Sequence, residues 1–180
     1  MALRMQASGK MRGRARFREI VLHACPCGNY GDPRRQCRCT PLEIQRYRSR
    51  ISGPLLDRID IHLEVPAVNH KDLLGGPSPE SSREIRRRVE LARQRQLRRF
   101  RGEGIYCNAQ MGDAHLKRYC RLTSDAEKLL EMAMKKLALS ARAYTRVLKV
   151  SRTIADLEGA EKIEPTHLSE ALQYRGMEIQ

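Results

Sequence analysis

The pattern of apolar and polar positions divides this chain into two regimes. From Ile59 to Val65 the order is strictly alternating, with Ile59, Ile61, Leu63 and Val65 apolar and Asp60, His62 and Glu64 polar. A period of two predicts a strand with one buried face, entered through Gly53-Pro54 and stopped by Pro66. Residues 19–23 (EIVLH) read as a second short buried strand, and residues 1–18 show weak periodicity. Everywhere else the period is helical. Thr40-Pro41-Leu42-Glu43 is a helix start, with a capping hydroxyl, proline at the first helical position and glutamate three after the cap, and that helix runs to about Arg50.

After residue 82 the pattern is helical apart from a loop within 103–122. Ser81 or Ser82 caps a helix over 81–101 whose stripe is Ile85, Val89, Ala92, Gln96 and Phe100, ended by Gly102. A short helix is expected over Asp113–Tyr119. Thr123 or Ser124 opens the next, with Leu129, Leu130, Met132, Met134 and Leu137 inside. Ser140 opens a third with Tyr144, Val147, Leu148, Ser151, Ile154, Ala155 and Leu157 in threes and fours, closed by Gly159. Pro165 begins a last helix on Leu168, Ala171 and Leu172. The final three predict a small antiparallel bundle. Between the regimes, residues 67–82 carry Gly-Gly, two prolines and three serines, a linker that sets the expected units at 1–66 and 83–180.

Charge adds a partner class. The chain of 180 residues has 35 Lys plus Arg against 21 Asp plus Glu, a formal net charge of +14. That excess favours a polyanion, most simply nucleic acid, or else a basic face covered by more protein. It concentrates in the 81–101 helix, where arginines stand at 83, 86, 87, 88, 93, 95, 98, 99 and 101 beside only Glu84 and Glu90. Arg86, Arg87 and Arg93 are the candidate phosphate contacts, and an inert or partner-covered face is the competing reading. No run of apolar residues is long enough to span a membrane and the N-terminus lacks a signal-peptide core, so the expected address is the cytoplasm.

Cysteine usage adds a metal. Six cysteines without a signal peptide point to a reducing compartment, and four of them lie in CPCGNYGDPRRQCRC as two Cys-x-Cys pairs. Cys25, Cys27, Cys37 and Cys39 can supply four thiolates to Zn2+, although the usual spacing is Cys-x2-Cys; a buried cysteine-rich turn is the alternative. Cys107 and Cys120 read as free thiols. Two single arginines also stand out. Arg58 sits at the mouth of the expected strand, where it could meet a phosphate or simply pair with Asp57 or Asp60. Arg142 opposes the dipole in the first turn of its helix, unless Asp125 or Glu127 compensates it.

These residues resemble a known family. CPCGxxGDPxxxCRCTPxxIxRYxxRISGPLLDRIDIHxEVP, SxEIRxRVxxARxRQ, YCNAQM, LSARAYxRxLKVxRTIADLEG and IxxxHLxEALQYR are similar, in order, to the magnesium-chelatase-like AAA+ ATPases of the YifB/ComM type, over about residues 15–175. The resemblance implies a C-terminal remnant of a P-loop α/β core followed by an all-α helical lid, predominantly helical overall. It implies ATP and Mg2+ as cofactors, a hexamer-like homo-oligomeric ring, DNA as partner and branch-migration helicase activity in recombination. On the same ground Arg58 is the expected arginine finger acting on a neighbour's ATP, and Arg142 the sensor-2 arginine. A porphyrin-metallating chelatase subunit and a non-catalytic nucleic-acid-binding module are the alternatives.

Two departures qualify these expectations. No Walker A loop and no acidic Walker B strand occurs in the 180 residues, so the chain resembles a C-terminal fragment that alone hydrolyses no ATP. Where the family reads PARFxLVAAMNPCPCG, this chain reads RARFREIVLHACPCG, with His23 in place of the sensor-1 asparagine and one residue fewer. A truncated gene, a shifted reading frame or an engineered piece would each account for this.

Overall fold

The computed structural model describes residues 5–6, 19–21, 23–65 and 80–175. The chain forms two compact units, one within Met1–Ser52 and the other within Gly53–Glu178. Helix dominates the second, whereas the described part of the first is mostly turns around one helix. The linker expected over 67–82 lies outside the described residues up to position 79, as does most of 1–18.

In the first unit, β1 (Met5–Gln6) pairs antiparallel with β2 (Glu19–Ile20), Met5 opposite Ile20. The strand expected over 19–23 therefore stops early, and Val21 is 57% exposed. Helix α1 (Pro41–Arg48) starts as its sequence dictates: the Glu43 amide donates to Thr40 Oγ1, and the Thr40 amide donates to Glu43 Oε2. That reciprocal pair satisfies two donors left orphaned at a helix start. No residue of α1 is buried.

The second unit opens with α2 (Gly53–Leu56), and the stretch that follows departs from the sequence expectation. Residues 61–65 form no strand. The burial phase is also inverted: His62 is buried, whereas Ile61, Leu63 and Val65 are exposed, Val65 by 86%. A strand is stable only with a ladder beside it. Here the His62 amide donates to the Tyr174 carbonyl, a docking onto the end of a helix and not a strand pairing.

The helices follow the pattern closely. They are α3 (Ser82–Arg99), a 3-10 turn at Asn108–Gln110, α4 (Asp113–Tyr119), α5 (Ser124–Lys136), α6 (Ala141–Glu158) and α7 (Pro165–Gln173). Helix α6 is the axis, with Val147, Leu148, Ile154 and Ala155 in a core completed by Phe100, Leu116, Leu130, Ile163 and Leu168. Ser140 caps it, and Gly159 ends it at φ +87°. Two expected core residues of α5 are turned out: Met132 is 62% exposed and Leu137 43%, while Ala126, Leu130 and Ala133 face inward. Residues 126, 130 and 133 share one helical face, and 132 lies off it. Ile85 and Val89 are likewise exposed, since α3 buries only Ala92 and Gln96.

Candidate functional site

The stretch carrying Arg58 is fixed from three sides. Arg175 donates to the Ile59 carbonyl at 2.5 Å and pairs with Asp57 at 3.2 Å. The Ser140 hydroxyl donates to the other Asp57 oxygen at 2.7 Å, and Arg146 pairs with Asp60. Both carboxylates that could have neutralised Arg58 are thereby engaged elsewhere. Arg58 is exposed, its amide bonded to Leu55, its guanidinium without a partner among the described residues. The pairing with Asp57 or Asp60 allowed by the sequence does not form.

Ser140 is also the N-cap of α6, so the same hydroxyl that holds Asp57 accepts from the Ala143 amide. The Arg58 stretch is thus tied to the helix start that bears Arg142. Arg142 is exposed, and neither Asp125 nor Glu127 reaches it; Asp125 faces Lys128 instead. The structure therefore brings two unneutralised arginines to one end of α6. His62 lies behind them with Nε2 against the Leu56 carbonyl and Nδ1 without a partner. Burial, then the charge of Arg175, holds its pKa below the usual value.

The four cysteines of the first unit converge. The Sγ atoms of Cys25, Cys27, Cys37 and Cys39 all lie within 4.8 Å of one another. Cys25 and Cys27 are 3.4 Å apart, Cys27 and Cys37 3.6 Å, and Cys25 and Cys37 3.7 Å. A tetrahedron of sulfurs ~2.3 Å from a central Zn2+ has edges of roughly 3.8 Å, close to what is seen. The first knuckle closes with the Gly28 amide on the Cys25 carbonyl, Gly28 at φ +79°, where any side chain would be strained. The backbone amides of Arg38 and then Asn29 lower the Cys27 thiol to about 6. The Cys27 backbone also favours the Cys39 thiolate, but burial and the neighbouring thiols outweigh it and push Cys39 up to about 12. Four sulfurs this close cannot share their negative charge without a cation.

Helix α3 sorts its arginines into two sets. Arg99 grips Asp156, donating to Oδ2 at 2.8 Å and to Oδ1, and Arg95 donates to the Asp156 carbonyl at 2.7 Å. Arg88 pairs with Glu80 at 2.9 Å, and Arg93 donates to Gln96 at 2.8 Å. Arg83, Arg86, Arg87 and Arg101 have no partner among the described residues. Of the three sequence candidates, Arg86 and Arg87 are free and Arg93 is engaged.

Sequence reasoning missed the buried network behind this sorting. Asp156, fully buried, accepts from Arg99, from Asn108 Nδ2 at 2.8 Å and from Arg152 Nε at 3.2 Å. Arg152, 1% exposed, also donates to the carbonyls of Glu161 and Ala160. The available signal was the Arg152/Asp156 spacing of four beside the stripe of Leu148, Ser151 and Ala155. An open depression of about 390 Å³ between Asp60–Leu63 and α6 was also not foreseen.

With this geometry in view, the chain can be set beside known proteins. It matches the family described as magnesium chelatase, subunit ChlI C-terminal, over residues 79–175, and magnesium chelatase, subunit ChlI, over residues 5–73. The first match alone covers more than half of the sequence, and the chain belongs to this magnesium-chelatase-like family. Among the similar relatives are proteins named ComM and YifB. Competence protein ComM of Haemophilus influenzae is 40% identical over 174 residues, 96% of this chain and 33% of that protein. YifB of Salmonella typhimurium is 40% identical over 166 residues, and YifB of Escherichia coli 37% over 169, each covering 91% of this chain and 32% of the relative. The chain thus spans about a third of the length of these curated relatives. Among the described residues, no helix is long and apolar enough to cross a membrane.

Proposed function

We propose that this chain supplies the arginine-bearing C-terminal part of a ComM-like AAA+ ring ATPase, with 83–180 as its helical lid, working on DNA in the cytoplasm. The observation that carries the reading is Arg58: an exposed guanidinium on a stretch fastened by Arg175, Ser140 and Arg146, with both nearby carboxylates occupied. A fixed, permanently charged fork suits the stabilisation of charge on a transferring γ-phosphate. Arg142, at the helix start tied to the same stretch, suits the second phosphate contact. The sequence contains no phosphate-cradling loop, so ATP and Mg2+ would be held by the P-loop part of such a ring, and these arginines would act on nucleotide bound there. The name of the Haemophilus relative supports a role in competence, and the likeness of the CPCG-to-CRC stretch to the YifB/ComM branch is the ground for preferring a DNA motor to a porphyrin-metallating subunit.

The test joins this chain to the part of Haemophilus ComM that it does not match, about two thirds of that protein, and measures DNA-dependent ATP hydrolysis. Arg58→Ala should lower kcat by roughly 10³-fold, with little change in KM for ATP, and Arg58→Lys should not restore it. An unchanged rate would overturn the finger assignment; Arg58-dependent hydrolysis by the 180-residue chain alone would overturn the expectation that it needs a P-loop part to hydrolyse ATP.

Two specific observations support accessory readings. The unpaired Arg83, Arg86 and Arg87 of α3, with Arg101 in the turn after it, suit a phosphate-tracking DNA surface, which would also serve a non-catalytic binding module. The donor set and spacing of Cys25, Cys27, Cys37 and Cys39 suit structural zinc.

A further inference from the structure

The first unit has a feature that neither the arginine finger nor the metal absorbs. On the outer side of the Cys25–Cys27 knuckle, an open depression of about 230 Å³ is lined by Pro26, Glu43, Arg46, Tyr47 and Arg50. Arg46 lies in α1 and Arg50 in the turn that follows it, both exposed and their guanidiniums without a partner among the described residues. Tyr47 is half-buried, so its ring is held in place while part of it faces the depression. Glu43 is fixed by the Thr40 amide at 2.8 Å and the Thr40 hydroxyl at 2.9 Å, both on Oε2.

We propose that this depression is a single-stranded nucleic-acid site, taking one unstacked base between Pro26 and Tyr47 with the flanking phosphates on Arg46 and Arg50. The volume suits a base and little more. A flat aromatic and a proline give the stacking surface that sequence-tolerant single-strand binders use, and the two guanidiniums give the backbone contacts. Glu43 decides against a purely anionic ligand. An acidic peptide would meet a fixed carboxylate inside the depression and leave the apolar walls uncovered, whereas a base edge offers N–H donors to it. Duplex is disfavoured because its bases stay stacked and cannot enter. The site belongs to the first unit and the α3 arginines to the second; resting on the DNA reading, it adds a strand preference that α3 does not encode.

The full 180-residue chain would be titrated with fluorescein-labelled dT12 and with a blunt 12-bp duplex across a salt series, the metal content of each variant being measured alongside. The variant Arg46→Gln/Arg50→Gln should reduce the dT12 salt slope by about 1.4, at roughly 0.7 per phosphate contact. Tyr47→Leu, which keeps bulk and removes the ring, should weaken dT12 by roughly tenfold at unchanged slope. Arg86→Gln/Arg87→Gln on α3 should lower dT12 and duplex binding together. The inference falls if the Arg46/Arg50 variant, with metal content intact, leaves dT12 binding unchanged or weakens duplex equally, or if Tyr47→Leu has no effect. It stands if the α3 variant is silent while the knuckle variants still lose dT12, so failure of one DNA surface is distinguishable from failure of the other.

Discussion

At the scale of single residues, the decisive group is Asp156. One buried carboxylate answers two guanidiniums, Arg99 and Arg152, and an amide, Asn108. Removing the anion would leave buried cations without compensation, a loss of about 3–5 kcal/mol. Asp156→Asn should therefore lower the urea midpoint of the helical unit sharply, whereas Arg87→Gln, on a free surface arginine, should leave it nearly unmoved. The pH dependence follows with its sign. Burial raises the Asp156 pKa, but hydrogen bonds from Arg99 and Asn108 and the charge of Arg152 outweigh it and hold it below the ordinary value. A depressed folded pKa contributes stability that is complete above the unfolded value, ~3.9, and lost as pH falls through the folded one. Stability of the native chain should thus fall steeply below about pH 4, and the acid limb should flatten in Asp156→Asn. Identical acid limbs in the two proteins would remove Asp156 from the account.

At the scale of elements, the C-terminus of α6 joins a backbone requirement to a tertiary one. Gly159 adopts φ +87°, and a Cβ there would come within 2.8 Å of Arg95 Nη2, whose guanidinium is held by the Asp156 carbonyl. Gly102, after α3, adopts φ +83°, but a Cβ there would meet nothing within 4 Å. Alanine at either costs about 1–2 kcal/mol for the left-handed backbone. Gly159→Ala should cost a further ~1 kcal/mol by displacing the Arg95 bond, and in an Arg95→Ala background the two glycine variants should become equal. Thermal unfolding of the four proteins checks this.

The same scale shows what was legible. Helix ends could be read because capping is local: Thr40 with Glu43, Ser81 with Glu84, Ser140, Gly159 and Pro165 all act within a turn of themselves. The Ile59–Val65 strand could not be placed from its own alternation, because a strand requires a partner that its sequence does not name. The phase inverted once His62 docked on Tyr174 instead. Arg58 and Arg142 stand out by position and take their expected roles from the family likeness, but their isolation from Asp57, Asp60, Asp125 and Glu127 depends on where Arg175, Arg146, Ser140 and Lys128 reach, which only the fold decides. The Cys-x-Cys pairs were legible as donors, and their convergence required the turn between them to close.

At the scale of the whole molecule, the two units differ in what can hold them together. The second has a core of Phe100, Leu130, Val147, Leu148, Ile163 and Leu168. In the first, among the described residues, Cys25 is the only buried side chain and α1 buries none. A unit with so little apolar burial needs a staple, and the four converging sulfurs are the one available. If zinc fills them, its binding free energy is folding free energy for that unit. Chelation at pH 7.5 should then expose four thiols to a disulfide reagent and bring the α1 amides, 42–48, to the exchange rate of unstructured peptide. The amides of α6 should keep their protection, because none of their core depends on the cysteines. Acidification should release the metal as well, since protons compete with it for the thiolates. Metal-free protein that retains slow exchange in α1 would show that the cysteines hold the first unit without an ion, and would leave their mutual approach as packing alone.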